Sequence, residues 1–153
     1  MMTRRNLFKL LTVFAFLPGV AIAQSGKQVI EVYKSETCGC CTEWVKHLEA
    51  NGFAVKARNV PNTAAYRERY QVPPSLGSCH TATVGGYALE GHVPAADIQR
   101  LLKEKPKAAG LTVPGMPMGS PGMEVPGQKA DAYDVLLFQK DGSHTVYRHV
   151  AAE

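Results

Sequence analysis

Residues 29–48 read VIEVYKSETCGCCTEWVKHL, and this stretch decides the predicted fold. Its first five residues, 29–33, alternate well enough between apolar and polar side chains to predict a strand. From Thr42 onwards, apolar residues recur at helical spacing until Asn51-Gly52 provides a stop. The stretch therefore predicts a strand and a helix joined by a loop that carries three cysteines.

The elements predicted after this stretch follow a familiar order. We expect a strand over 53–60, a short helix from Asn62 or Thr63 through Tyr70, a hairpin of 81–84 and 87–89 around Gly85-Gly86, and a helix from Pro94 that ends before Pro106. Strand, helix, strand, helix, hairpin, helix is the order of a thioredoxin-like domain. The fold class predicted is therefore α/β and thioredoxin-like.

Two further segments complete the predicted domain. Residues 107–129 are rich in glycine, proline and methionine and lack periodicity, which predicts a long loop. Two alternating runs, 133–139 and 144–150, flank a turn at 140–143 and predict a C-terminal β-hairpin. We expect residues 24–153 to form one thioredoxin-like metal-binding domain.

Residues 1–23 have the pattern of a signal peptide. Arg4, Arg5 and Lys9 precede an apolar run that ends in Ala21-Ile22-Ala23, a small-residue cleavage pattern. The run is too short for a membrane-spanning helix, so we expect cleavage after Ala23, a periplasmic location and no stable membrane anchor. The paired arginines fit both a twin-arginine and an ordinary secretory signal, and the export route stays open.

The charge of the chain argues against nucleic acid as a partner. The whole sequence has 17 basic and 13 acidic residues, but three of the basic residues and none of the acidic ones lie in residues 1–23. The remaining 14 basic and 13 acidic residues nearly balance. A basic nucleic-acid-binding patch therefore has little support.

The four cysteines, Cys38, Cys40, Cys41 and Cys79, all follow the predicted cleavage site. Three of them lie within four residues, a spacing poorly suited to structural disulfides because such short loops constrain the unfolded chain very little. In a thioredoxin-like domain the loop before the third strand lies against the first cysteine loop. We therefore expect Cys79 to face the other three cysteines and to form one four-sulfur site with them.

Three kinds of chemistry fit such a site. Closely spaced thiolates at a helix N-terminus suit soft ions that several sulfurs bridge, and softness favours copper(I), zinc or iron–sulfur clusters. The Cys-Gly-Cys-Cys run is tighter than the usual spacing of a structural zinc site, which favours copper(I). Cys38 and Cys41 also form the Cys-x-x-Cys pattern of a thiol–disulfide enzyme. Two plain structural disulfides are the third reading.

Weaker metal ligands are predicted around the cysteines. His80 follows Cys79 directly and is either a ligand or a hydrogen-bonded loop histidine, and His92 follows a predicted strand. The thioethers of Met116, Met118 and Met123 suit copper(I), although methionines in such a loop also serve simply to cover core surface. Trp44 is expected in the core, and His47, His144 and His149 at the surface.

Several motifs of the sequence resemble those of a known family, the CopG-type periplasmic copper-resistance proteins, which are unrelated to the plasmid repressor of that name. The resemblance rests on the CGCC run of 38–41, the CHT run of 79–81, the GHVPA run of 91–95 and the VPGMPMGSPGME run of 113–124. It implies a thioredoxin-like fold and a multinuclear copper site bridged by the four cysteines. It also implies a role alongside other periplasmic copper-handling proteins.

The leading hypothesis is a periplasmic protein for copper resistance or homeostasis that holds copper(I) in a four-cysteine thiolate site, with redox coupling as an added possibility. The alternative is a thiol–disulfide or copper-reducing oxidoreductase in which Cys38 attacks and Cys41 or Cys79 resolves. Because four thiols that hold copper(I) when reduced become two disulfides when oxidised, the two hypotheses do not exclude each other. The sequence therefore fits both a copper-binding protein and a thiol-based oxidoreductase.

Overall fold

The computed structural model describes residues 26–152. Within these residues the chain forms one mixed sheet of seven strands in the order β2-β1-β3-β4-β5-β6-β7 and three α-helices. The strands are β1 (Val29–Lys34), β2 (Ala54–Asn59), β3 (Thr81–Val84), β4 (Tyr87–Glu90), β5 (Gly110–Thr112), β6 (Tyr133–Phe138) and β7 (His144–Val150). The helices are α1 (Gly39–Ala50), α2 (Thr63–Arg69) and α3 (Ala95–Glu104), with a short 3-10 turn at Pro74–Leu76. The α/β class predicted from the sequence is confirmed.

The sheet has two parallel pairings among antiparallel ones. Strand β1 lies parallel to β2 and antiparallel to β3, and the β3–β4 hairpin turns at Gly85-Gly86 as predicted. Strand β4 pairs in parallel with β5, and β5 pairs antiparallel with β6 of the C-terminal hairpin. The C-terminal hairpin thus extends the same sheet.

The main core lies between the sheet and the pair α1 and α3. It contains buried side chains from both helices and from five strands: Ile30, Val32, Trp44, Leu48, Ala82, Val84, Leu89, Ile98, Leu101, Leu111 and Val135. The expectation that Trp44 lies in the core is confirmed, since its ring is fully buried. A smaller cluster of Val72, Leu76, Ala88 and Phe138 lies apart from it.

Strand β5 lies inside the segment that the sequence predicts to be a loop. It is three residues long, and a Cβ atom at Gly110 would lie 1.8 Å from the Ala88 carbonyl oxygen, so the close pairing with β4 requires glycine. Three residues are too few to show a strand period. The rest of 107–129 carries no helix or strand, as predicted.

The predicted signal peptide, residues 1–23, lies outside the described residues. Among residues 26–152, no helix has the length and apolar character that crossing a membrane demands.

Candidate metal centre

The first three cysteines lie at the N-terminus of α1. The helix begins at Gly39, three residues before the predicted start, because Cys38 is its N-cap and its sulfur accepts a hydrogen bond from the Cys41 amide at 3.4 Å. The first turn contains no acidic residue. The positive end of the helix dipole therefore faces the sulfurs without a competing carboxylate on that turn, which favours negative charge on them.

Cys38 and Cys41 form a disulfide, and Cys40 and Cys79 are free thiols. The Cys38 sulfur lies 3.5 Å from the Cys40 sulfur. Cys41 is buried, whereas Cys38 and Cys40 are half-buried. An incoming thiol or metal ion therefore has better access to Cys38 than to Cys41.

Cys79, on the loop before β3, lies with the other three cysteines. The sulfur atoms of Cys38, Cys40, Cys41 and Cys79 all lie within 4.8 Å of one another. Sulfurs at such separations are close enough to share bound ions once the disulfide is reduced. Two loops that are far apart in sequence thus contribute to one cluster.

A buried carboxylate holds the Cys79 loop in place. Glu90 is fully buried at the end of β4 and accepts hydrogen bonds from the Ser78 amide at 2.7 Å and the Thr81 hydroxyl at 2.7 Å. Arg67 on α2 donates to the same carboxylate at 2.8 Å and also to the Ser78 carbonyl. Because Ser78 and Thr81 lie on either side of Cys79 in sequence, their hydrogen bonds to Glu90 fix the loop on both sides of the Cys79 sulfur.

Two buried histidines contact the Cys79 sulfur with different ring nitrogens. His92 Nδ1 lies 2.8 Å from the Pro121 carbonyl, which only accepts, so Nδ1 carries the proton and Nε2 is left with a free lone pair. That Nε2 lies 3.1 Å from the Cys79 sulfur. His92 is thus placed either to accept the thiol proton or to bind a metal ion beside the sulfur.

His80 has the opposite arrangement. Its Nδ1 lies 3.3 Å from the Cys79 sulfur, and its buried Nε2 has no hydrogen-bond partner. A buried N–H without an acceptor costs free energy, so the proton does not lie on Nε2. Nδ1 is therefore the protonated nitrogen and donates to the Cys79 sulfur. Of the two readings left open for His80, the hydrogen-bonded loop histidine fits this geometry better. Its ring packs 4.4 Å from the Trp44 ring.

Burial sets the protonation of these groups. Burial, with the neighbouring Cys40, raises the pKa of the Cys79 thiol to about 12. Burial, with the nearby His92 ring, lowers the pKa of His80 to about 3, and burial also lowers the pKa of His92. In the metal-free protein at neutral pH, Cys79 is therefore a neutral thiol between two neutral imidazoles.

The methionine-containing segment lies against the cysteine cluster. A Cβ atom on Gly122 would lie 2.7 Å from both the Cys40 carbonyl oxygen and the Trp44 amide nitrogen, so only glycine allows the segment to approach α1 this closely. The Ser78 hydroxyl donates to the Gly115 carbonyl at the other end of the segment. Met116 is 55% exposed, and Met118 and Met123 are half-buried.

The remaining histidines lie away from the sulfurs. His144 and His149 are exposed on β7, in agreement with the prediction. The prediction was wrong for His47, which is half-buried and accepts a hydrogen bond at Nε2 from the Ala95 amide at 3.1 Å. A groove of about 860 Å³ lies elsewhere, lined in part by Glu31, Lys56 and Tyr70 and by no cysteine. The cysteine cluster is thus not part of that groove.

Comparison with known proteins gives one family match and two structural matches. The profile of a family described as "Protein of unknown function, DUF411" matches residues 76–123, which include Cys79, His80, His92 and the three methionines. A solved structure of copper resistance protein copG, Form 1, is 44% identical, covers 82% of this chain and 99% of its own, and superposes with a TM-score of 0.77. Form 2 is 45% identical with the same coverage and TM-score. No curated protein matches the chain.

Proposed function

Because the chain belongs to the CopG family of copper resistance proteins, we propose that it binds copper(I) through Cys38, Cys40, Cys41 and Cys79 and thereby lowers free copper. The observation that carries the proposal is the convergence of the four sulfurs within 4.8 Å. Thiolate sulfur is the softest donor in proteins and selects copper(I) over harder divalent ions. Sulfurs this close would suit a site in which the four cysteines together hold more than one copper ion.

Copper(I) binding at all four sulfurs requires reduction of the Cys38–Cys41 disulfide. A dithiol reductant supplies two electrons and two protons, becomes a disulfide itself, and leaves four thiols in the cluster. Copper(I) then displaces the thiol protons, and the copper keeps its oxidation state in that step. Because the Cys79 thiol is neutral in the metal-free protein, metal binding releases its proton.

His92 and the methionines are the further ligands that we propose. The His92 Nε2 lone pair faces the Cys79 sulfur, and the Pro121 carbonyl holds the ring in the tautomer that leaves this lone pair free. The segment of Met116, Met118 and Met123 is fixed beside α1 through Gly122. His80 is assigned a hydrogen bond to the Cys79 sulfur in place of a metal bond.

The cellular context of this function is also a proposal. We propose export through a signal peptide in residues 1–23, a periplasmic mature protein of residues 24–153 with a thioredoxin-like domain, and exchange of copper with other periplasmic copper-handling proteins. The order of elements from β1 to α3 supports the thioredoxin-like assignment. The membership in a copper resistance family supports the periplasmic location.

A second function, thiol–disulfide or copper-reducing oxidoreductase, is favoured by one observation. The disulfide joins the half-buried Cys38 at the N-cap of α1 to the buried Cys41, and helix N-termini stabilise an attacking or leaving thiolate. In this reaction Cys38 attacks a disulfide and Cys41 resolves the mixed disulfide, so two protein thiols are oxidised as the partner gains two thiols. With copper(II) as acceptor, two ions are reduced for each disulfide formed.

Anaerobic titration of the reduced protein with copper(I) tests the leading proposal. We expect several copper ions per chain for the wild type and loss of this binding when all four cysteines are changed to serine, with bound copper measured by elemental analysis. If the four-serine variant bound the same number of ions, the proposal would fail. With excess dithiol present to re-reduce the protein, multiple turnovers of disulfide or copper(II) by the wild type, but not by Cys38→Ser, would establish the oxidoreductase.

A further inference from the structure

A buried lysine lies at the end of β1, directly before the cysteine loop. Lys34 is only 7% exposed and falls on the same face of the strand as the buried Ile30 and Val32. Among residues 26–152, no carboxylate forms an ion pair with it. Burial of a cation costs free energy unless a counter-charge compensates it, so this position calls for a nearby anion.

The lysine ammonium lies close to the backbone of the cysteine loop. Lys34 Nζ donates to the Ser35 carbonyl at 3.1 Å, and the Cys38 amide donates to the same oxygen at 3.2 Å. The ammonium and the N-cap cysteine thus share one acceptor atom.

We propose that Lys34 is an electrostatic positioning residue that stabilises the negatively charged states of the four-cysteine site. Two such states follow from the chemistry. Reduction of the disulfide allows thiolates to form. Two neutral thiols that bind one copper(I) ion lose two protons, so the complex carries one negative charge where the free dithiol site carries none. Lys34 supplies the counter-charge in both states. The part that concerns copper rests on the proposed function, whereas the part that concerns reduction does not.

Substitutions that separate the charge from the hydrogen bond test this inference. Lys34→Arg keeps the charge, Lys34→Gln keeps a donor for the Ser35 carbonyl without the charge, and Lys34→Met removes both while keeping the chain length. Lys46→Gln is the matched control, because Lys46 is an exposed lysine on α1 whose ion pair with Glu43 lies at the surface. Thermal unfolding of each variant confirms that it folds. If Lys34→Met does not fold, Lys34→Gln still decides the outcome.

The two measurements are the equilibrium of the Cys38–Cys41 disulfide with glutathione and competition for copper(I) with a chelator of known affinity. In the first, two glutathione thiols reduce the protein disulfide and become one glutathione disulfide. We expect Lys34→Gln and Lys34→Met to shift this equilibrium about tenfold towards the protein disulfide, which is about 30 mV for a two-electron couple. We expect copper(I) affinity to fall about tenfold in the same two variants, while Lys34→Arg and Lys46→Gln stay close to wild type.

Other results of these two measurements would overturn either the role of Lys34 or the proposed function. Wild-type behaviour of Lys34→Gln in both measurements, with or without an effect of Lys34→Met, overturns the inference because the charge then has no role. An equal shift in Lys46→Gln also overturns it, since any lysine charge would then suffice. If the wild type bound no copper(I), the proposed function would fail, but the glutathione equilibrium would still decide the role of Lys34.

Discussion

At the scale of residues, the site depends on which atom of each imidazole carries the proton. His92 donates through Nδ1 to the Pro121 carbonyl and leaves Nε2 free at 3.1 Å from the Cys79 sulfur. His80 points its Nδ1 at the same sulfur and buries an unpaired Nε2. The Cys79 thiol therefore lies between a donor, His80, and an acceptor, His92. Of the two rings, His92 is the one whose free lone pair faces the sulfur.

Substitution of His92 is expected to weaken copper binding. His92→Gln removes the imidazole lone pair beside Cys79, and we expect about a tenfold loss of copper(I) affinity, the lower end of what loss of such supporting contacts does to metal sites. Chelator competition measures the change. His144→Gln, on the exposed β7 strand, is the control and is expected to bind as the wild type does. Equal affinities of the two variants would contradict the role given to His92.

The sequence predicts the membership of the cysteine cluster but not its proton arrangement. Cys79 is expected near Cys38, Cys40 and Cys41 because a predicted order of elements brings their two loops together. The contact joins His92 to Pro121, which lies 29 positions later in a segment without periodicity, so no local pattern indicates it. The burial of Lys34 is likewise invisible, since a lysine at a strand end is normally exposed.

At the scale of elements, the two helices of the main core support each other at their ends. Pro94 caps α3 and has no side-chain hydrogen bond to give, so the Ala95 amide is satisfied by His47 from α1. Trp44, one turn earlier on α1, donates from its indole to the Val93 carbonyl at 2.8 Å. The helix that carries the cysteines is thus joined to the segment that carries His92.

The His47 contact predicts a pH-dependent stability. His47 must be neutral to accept from Ala95, and burial lowers its pKa in the folded protein, with a smaller opposing effect of Glu124. Below the unfolded value of about 6.5, the unfolded chain takes up a proton that the folded chain resists, so the free energy of unfolding decreases as the pH falls. Denaturant unfolding between pH 7.5 and 5 measures this slope.

His47→Gln is expected to reduce the slope without removing it. Glutamine keeps an acceptor for Ala95 but does not titrate, whereas His80 and His92 have lowered pKa values and act in the same direction. Identical slopes in the variant and the wild type would show that His47 does not report on folding.

The positions of helices and strands were predicted well where a local sequence pattern specifies them. They were predicted poorly where pairing with other strands determines the element. The β3–β4 hairpin follows from Gly85-Gly86, and α3 follows from apolar spacing after Pro94. The predicted start of α1 at Thr42 was wrong, because it followed the apolar spacing, whereas the helix begins at Gly39 with a cysteine as its N-cap. Strand β5 was missed because it exists only through its pairing with β4 and β6.

At the scale of the whole molecule, the C-terminal hairpin is joined to the core by a partly buried ion pair. Arg148 on β7 donates three hydrogen bonds of 2.6–2.9 Å to Asp97 in the first turn of α3. The Asp97 side chain is 3% exposed, whereas that of Arg148 is 39% exposed. Arg100 of α3 also stacks over the Tyr147 ring at 4.3 Å. These contacts link the hairpin to the helix that follows the GHVPA run.

Loss of the arginine alone is expected to destabilise the protein more than loss of both partners. Arg148→Met leaves the Asp97 carboxylate buried without its partner, and we expect the free energy of unfolding to fall by about 2 kcal/mol. This loss is smaller than for a fully buried ion pair, because the Arg148 side chain is partly exposed to solvent. The double variant Arg148→Met, Asp97→Asn is expected to recover part of this loss. Urea unfolding of the single and double variants measures the coupling. If the losses of unfolding free energy in the two single variants simply added up in the double variant, Arg148 and Asp97 would not be coupled.

The most direct test of the account is X-ray absorption at the copper edge of the reduced, copper(I)-loaded protein, compared with Cys79→Ser. We expect a sulfur-dominated shell with short copper–copper distances in the wild type. We also expect fewer sulfur neighbours and weaker copper–copper scattering in the variant, because Cys79 contributes the one sulfur of the cluster that comes from the second loop. A shell of nitrogen and oxygen, or a spectrum that Cys79→Ser leaves unchanged, would contradict a single four-cysteine copper site.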